Sequence, residues 1–286
     1  MDSGGRTGFA CPVPPATPLA ARQRKEAAMT KPLSIPDLAG KAVLVTGAST
    51  GIGAALARAF AEQGASVGVH YNSSATAAET LCADIRAAGG KATAVRGDAL
   101  KSADMVQVIE ETAMAFGRLD GLVNNAGGMV ARMPYGDFNE QVFEDIIGLN
   151  VRSVLVASHA ALPFLKAQQG FIVNTTSIAA RTGASLGAGP YGSAKAFIEN
   201  ATRGMAKEFA PFGVRVNAVA PGIVETPFHE RYSDQAYLEA MRVTIPLQRL
   251  AKPEDMVGPY LFLASAALSG YMTGQVLEVN GGQLMT

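Results

Sequence analysis

Tyr191 and Lys195 stand four residues apart in the run Tyr191-Gly-Ser-Ala-Lys195. In a helix that spacing puts both side chains on one face. A phenol ionises near pH ~10, so it exchanges protons poorly at neutral pH. A lysine charge held beside it favours the phenolate and draws its pKa toward the working range. The pair is therefore suited to moving a proton onto or off an alcohol oxygen. Ser177, at the end of Thr175-Thr176-Ser177, offers a further hydroxyl, although hydroxyls at a strand end also serve backbone groups.

A second set of residues could hold a phosphate. Thr46-Gly47-Ala48-Ser49-Thr50-Gly51-Ile52-Gly53 follows a short apolar run directly and opens an amphipathic one. Glycine at a strand end permits a tight turn, and the later glycines let a pyrophosphate and the sheet approach the helix closely. The spacing is Gly-x-x-x-Gly-x-Gly rather than the commoner Gly-x-Gly-x-x-Gly. Its place between a buried strand and a helix supplies the context that such a turn requires.

These groups need a scaffold that brings them together. From Lys41 onward, short apolar runs alternate with amphipathic segments, the pattern of a parallel sheet with helical crossovers. Strands are expected at 42–45, 65–70, 92–95, 119–123, 171–174, 214–219 and 276–279. Helices are expected from Ile52 to Gly64 and at 76–88, 103–116, 139–167 and 191–210. Seven strands with crossovers make one α/β domain over residues 37–286, a Rossmann-type doubly wound parallel sheet. The stretch 226–250 lacks a strand pattern and is mixed in polarity, as expected of a substrate lid over the carboxyl edge. Phe228, Tyr232, Tyr237 and Met241 could give that lid an apolar underside. His159 reads as structural and His229 as a surface residue of the lid, and no metal-ligand spacing is present.

Read in order, the segments resemble the short-chain dehydrogenase/reductase family over essentially all of residues 37–286. They are the glycine turn, Asn124-Asn125-Ala126-Gly127, Asn150, Ser177, Tyr191-x-x-x-Lys195 and Pro221-Gly222. The resemblance implies that Tyr191 is general acid in carbonyl reduction and general base in alcohol oxidation. It implies that Lys195 lowers the tyrosine pKa and bonds the nicotinamide ribose, and that Ser177 polarises the substrate oxygen. Asn150 resembles the residue that anchors a water in the proton relay; by itself it is an ordinary helix polar residue. Asn124 is implied to steady the sheet, while Asn125, Ala126 and Gly127 lie by the cofactor. With the turn residues Gly47, Ser49, Thr50, Gly51, Ile52 and Gly53, the implied cofactor contacts include Pro221, Gly222, Val224 and Thr226, with Ile223 beside them.

The choice of dinucleotide turns on the end of the second strand, His70-Tyr71-Asn72-Ser73-Ser74. An acid there would pair with ribose hydroxyls and repel a 2′-phosphate. None is present, and Tyr71, Asn72 and Ser73 could bond a phosphate, so NADP is expected and NAD possible. The usual family arginine is absent both there and at Thr50. Asp98 with Ala99 resembles the adenine contact, and Asp98 also reads as a capped turn with Gly97. Pro246-Leu247-Gln248-Arg249 and the Val-His-Tyr-Asn-Ser-Ser strand resemble 3-oxoacyl-(acyl-carrier-protein) reductases and sugar dehydrogenases of the family. A sugar or polyol dehydrogenase is thus the alternative enzyme. A catalytically silent nucleotide sensor is the alternative class; it needs the glycines but not the proton relay. The loop Gly183–Gly189 is glycine-rich and slightly long for the family.

Composition bounds the partners. Hydrophobic residues are 48% and charged residues 17%, enough apolar material for a large core, and formal net charge is zero. No basic block suggests nucleic acid or an anionic membrane. The expected partner is a small-molecule carbonyl or alcohol, with no nucleic acid and no membrane, and family likeness implies a homotetramer. Two cysteines, Cys11 and Cys82, argue for a reducing, cytoplasmic setting. Residues 1–36 are proline-rich and basic without an apolar core, read as a disordered leader, with Met29 a plausible alternative start. Deleting residues 1–28 is expected to leave activity intact. A truncated protein that is soluble but inactive would contradict this.

Overall fold

The computed structural model describes residues 34–285. The compact body begins at Ile35, so most of the leader expected at 1–36 lies outside the described residues. The expected boundary moves by two residues, because Ile35 and Pro36 belong to the folded body. Ile35 is buried and its N–H donates to Gln63 Oε1 at 2.7 Å, while Leu38 in the 3₁₀ turn Pro36–Leu38 is fully buried. Apolar contact with the core sets this start.

Seven strands form one sheet: β1 Ala42–Val45, β2 Ser66–Tyr71, β3 Lys91–Arg96, β4 Gly121–Asn124, β5 Phe171–Thr175, β6 Arg215–Pro221 and β7 Val276–Val279. Their order is β3-β2-β1-β4-β5-β6-β7, and every pairing is parallel. β1, β4 and β5 are buried at every position, which is why they read as short apolar runs, with polar residues only where β4 and β5 end. One face packs on helices Gly51–Glu62, Ala75–Ala87 and Val257–Ala264, through residues such as Phe60, Cys82 and Tyr260. The other packs on Ser102–Phe116, Ser153–Gln168 and Gly189–Phe209, through residues such as Met105, Leu165 and Phe209.

The long helix expected at 139–167 is two α-helices, Glu140–Ile147 and Ser153–Gln168, joined without a break by a π turn over Gly148–Arg152. Asn150 sits in that turn. The whole run is long and apolar enough to cross a membrane, but half of its most apolar window is buried within this protein. The lid segment folds as two short helices, Pro227–Tyr232 and Gln235–Arg242, and a parallel bridge from Val224 to Ala251 closes its base.

A buried polar ladder crosses the middle of the sheet. Asn124 Nδ2 donates to Asn174 Oδ1 at 2.9 Å and to Ser158 Oγ at 3.1 Å, and Asn174 Nδ2 donates to Thr202 Oγ1 at 2.9 Å. All four residues are buried, so each polar atom needs its protein partner. The ladder joins β4 and β5 to the helices behind them and so fixes where both strands end. Asn124→Ala is expected to cost about 1–3 kcal/mol, read as a lower urea midpoint at unchanged slope. An unchanged midpoint would remove the ladder's structural role.

Candidate active site and cofactor cradle

The residues singled out for chemistry gather where the strands end. After β1, Gly47 and Gly51 adopt φ of +62° and +54°, backbone that favours glycine. A Cβ on Gly53 would overlap Gly47 O and lie 2.7 Å from Asn125 Nδ2, so close packing demands glycine there. Thr50 enters the helix in extended conformation without a side-chain cap, which leaves the first helical N–H groups open toward the cleft. Ser49 is half-buried and Thr50 exposed, while Ile52 packs partly against the core.

The turn is braced from below. Thr46 Oγ1 accepts from the N–H groups of Asn125 and Ala126, each at 2.9 Å. Asn125 Nδ2 donates to Thr46 O at 2.9 Å and Gly47 O at 3.2 Å, so the side chain expected at the cofactor is spent on the turn itself. His70 is a brace that sequence reasoning missed. It is buried; Nδ1 accepts from Gly47 N–H at 3.0 Å, and Nε2 lies 2.9 Å from Gly97 O. Because Gly47 can only donate, the ring is neutral with its proton on Nε2, donating to Gly97 O. Desolvation by burial pushes its pKa down from 6.5, against the Gly97 bond and the Asp98 charge. A histidine within an otherwise apolar strand was the available signal, since a buried ring needs two partners.

At the ends of β2 and β3, Tyr71 is half-buried and Asn72 and Ser73 are exposed. Asp98 Oδ1 accepts from Leu100 N at 3.0 Å and from Asn72 Nδ2 at 3.5 Å, and Ala99 is buried beside it. Asp98 is thus a capped turn and also a neighbour of the polar group after β2.

The residues expected to handle protons follow β5. Ser177 Oγ accepts from Ala179 N–H at 3.1 Å, and its hydroxyl lies near enough to the Tyr191 phenol to favour the phenolate. Tyr191 and Lys195 lie on helix Gly189–Phe209, with Pro190 in its first turn as expected. Lys195 is buried and donates through Nζ to Thr175 O at 2.9 Å. Asn150 is fully buried; Oδ1 accepts from Gly128 N–H at 3.1 Å, and Nδ2 donates to Gly128 O at 2.8 Å and Ile146 O at 2.9 Å. A Cβ on Gly127 would lie 2.8 Å from Asn150 Oδ1 and 3.0 Å from Lys195 Nζ, so these three residues meet at one point. The π turn places the Asn150 amide there, in keeping with the use of such turns at sites.

One electrostatic expectation is corrected. Burial pushes the Tyr191 phenol up to about 12, opposed by the Ser177 bond, and pushes Lys195 down to about 8. Desolvation therefore outweighs any lowering of the phenol by Lys195 in this state, in which the ammonium is held by Thr175 O.

The far wall comes from the segment after β6. A Cβ on Gly222 would sit 2.8 Å from Asn280 Cα, and one on Gly51 would sit 3.1 Å from Thr226 Cγ2. Thr226 thus faces the glycine turn, following Pro221 and Gly222, whereas the Val224 side chain is buried in the core and leaves only its main chain for a ligand. The Phe228 ring lies 5.7 Å from Tyr191 and 5.0 Å from Tyr232. Tyr237 and Met241 belong to the next helix, Gln235–Arg242. His229 bonds Ser233 within the lid at 3.0 Å, and His159 is exposed on helix Ser153–Gln168. Arg132 joins the walls, donating to Tyr232 O and Leu186 O, each at 2.8 Å. An uncapped helix start, a turn whose glycines cannot carry side chains, and a buried ammonium bonded, among the described residues, only to a carbonyl fit a dinucleotide lying along this edge.

Comparison with known proteins agrees with this fold. Residues 47–283 match the family described as Enoyl-(Acyl carrier protein) reductase. The 3-oxoacyl-[acyl-carrier-protein] reductase of Synechocystis sp. is 39% identical over 253 residues, covering 87% of this chain and 98% of its own. FabG of Staphylococcus aureus, with the same description, is 36% identical over 250 residues, covering 86% and 98%. Among solved structures, the NADH-dependent reductase A1-R' responsible for alginate metabolism aligns at TM-score 0.81 and 35% identity, over 88% of this chain and 100% of that one. A short-chain dehydrogenase from Burkholderia cenocepacia in complex with NADP aligns at TM-score 0.81 and 34% identity, over 86% and 99%.

The His70 brace makes a pH prediction. The unfolded chain takes up the histidine proton near 6.5, the folded protein only at lower pH. Stability that is fully present above pH 6.5 is therefore lost as pH falls toward the folded pKa. Protonation also sets two donors against each other at Gly47, so cofactor affinity should fall over the same window. Cofactor titrations at neutral and acid pH, on wild type and His70→Asn, test this: the variant's affinity should depend less on pH. Equal pH dependence in both would refute it.

Proposed function

The chain belongs to the short-chain dehydrogenase/reductase family and is an oxidoreductase of CH–OH groups that uses a nicotinamide cofactor; we propose that it reduces the keto group of a 3-oxoacyl thioester. The observation that carries this reading is the approach of the Ser177 hydroxyl to the Tyr191 phenol, close enough to oppose the effect of burial on it. Two hydroxyls that converge at one point suit a carbonyl oxygen, which can accept from both. The reduced nicotinamide, when bound, supplies the hydride.

Ser177 then polarises the carbonyl and holds it, while Tyr191 gives its proton to the oxygen as negative charge develops there. Burial holds the phenol in its protonated form, and it becomes an effective donor only as charge develops on the oxygen and a nearby cation stabilises the phenolate. Lys195, buried and near 8, turns from Thr175 O toward the ribose hydroxyls and stabilises the phenolate left behind. Asn150 positions the neighbourhood of Lys195 through Gly127 and Gly128, in keeping with a relay toward solvent. The glycine turn residues, the main chain around Ala126, Gly127, Gly222 and Val224, and Thr226 line the cofactor. Asn125 supports the turn from behind.

The Phe228–Tyr232 cover beside Tyr191 favours an acyl chain over a polyol. NADP is preferred over NAD because no acid stands at Tyr71-Asn72-Ser73. A homotetramer is supported by the free edge of β7 and the exposed Leu155 and Phe197 on two long helices. A cytoplasmic setting is supported by the unpaired Cys82 thiol. The domain reading is one catalytic unit with residues 226–250 as the lid.

Tyr191→Phe should lower NADPH-dependent turnover of an acetoacetyl thioester by at least about 10²-fold. NADPH affinity, read by fluorescence titration, should change little. Unimpaired turnover would refute the assigned acid, and turnover of sugars in preference to the thioester would refute the substrate class.

A further inference from the structure

The sequence around the β2 end offers no cation for a 2′-phosphate, but the sheet brings one. In the parallel register of β2 with β3, Tyr71 and Arg96 are Cα partners. Paired residues of neighbouring strands project to the same face, with the backbones about 4.8 Å apart. Tyr71 and Ala94 pack on the core of one face, while Val95 belongs to the core of the other. Arg96, next in the alternation, therefore emerges on Tyr71's side of the sheet, at the edge where both strands end.

Arg96 is exposed and, among the described residues, takes part in no hydrogen bond or ion pair. Where an acid would neutralise it, its in-register neighbour is a tyrosine. The nearest acid in sequence, Asp98, is occupied by Leu100 N–H and Asn72, and Asp104 accepts from Asp98 N–H at 2.9 Å. Beyond Tyr71, the exposed Asn72, Ser73 and Ser74 lead into helix Ala75–Ala87, whose start carries no side-chain cap. An unpaired guanidinium, a run of neutral hydrogen-bonding side chains and open helix N–H groups thus share one corner. That combination suits a phosphate dianion.

We propose that Arg96 is the specificity-determining cation of the cofactor site, binding the 2′-phosphate of the adenosine ribose of NADP. The inference rests on the dinucleotide reading of the cleft and names the residue that selects between its two forms. It concerns binding only, so equilibrium titration reads it without turnover.

Dissociation constants for NADPH and NADH, measured by fluorescence on wild type, Arg96→Gln and Arg96→Lys, provide the test. Loss of a charge-assisted bond should weaken NADPH binding by about 10- to 100-fold in Arg96→Gln, with NADH little changed. Arg96→Lys should recover part of the NADPH affinity, and the salt dependence of NADPH binding should be weaker in Arg96→Gln than in wild type. Equal weakening of both cofactors would place Arg96 on the shared adenosine and overturn the proposal, as would unchanged NADPH affinity. Failure of wild type to bind either dinucleotide would overturn the cofactor reading itself, an outcome distinct from both.

Discussion

A parallel sheet buried on both faces forces every strand to release its chain at the same edge, and the chemistry of this protein follows from that constraint. The glycine turn, Tyr71, Asp98, Asn125 to Gly127, Ser177 and Pro221 all stand at or just after strand ends. They are far apart in sequence and adjacent in space because the seven strands run one way. Alignment of the ends is maintained by polar groups that have no alternative to one another: the Asn124–Asn174 ladder within the sheet, and Thr46, Asn125 and His70 beneath the turn. A buried polar atom deprived of its partner loses more than the bond is worth in water, so such groups position firmly.

The site is electrostatically unfinished in a way that suits a ligand. Burial draws the Lys195 pKa down to about 8, and its partner is a carbonyl rather than a carboxylate. Tyr191 is covered by Phe228, and desolvation raises its pKa to about 12. Both shifts favour neutral groups in an apolar cleft. Polar ligand atoms arriving between them give the ammonium acceptors that the protein withholds. The same cover that disfavours free charge strengthens each hydrogen bond made to a developing oxyanion.

Much of the fold was legible because the central strands are doubly buried and read as apolar runs, and because glycines mark the turns. Ala42–Val45 and Val276–Val279 were read at their observed limits. The π turn at Gly148–Arg152 was not legible, since one extra residue per turn leaves helical periodicity nearly intact. Nor was the role of His70, whose partners Gly47 and Gly97 lie on two different loops. The desolvation of the phenol was not legible either, because four-residue spacing reports which side chains share a face and not how much water reaches them.

The sequence by itself determined what local geometry encodes: the helical pairing of Tyr191 with Lys195, the turn that only glycines can make, and the alternation that builds a parallel sheet. Tertiary structure decided what depends on packing and register. It joined Ser177 to Tyr191, buried Lys195 without a counter-charge, and stood Arg96 beside Tyr71. A helix repeats within a few residues and so announces its neighbours in the chain. The register between two parallel strands is set by the cores on either side of them, and those cores exist only once the chain has folded.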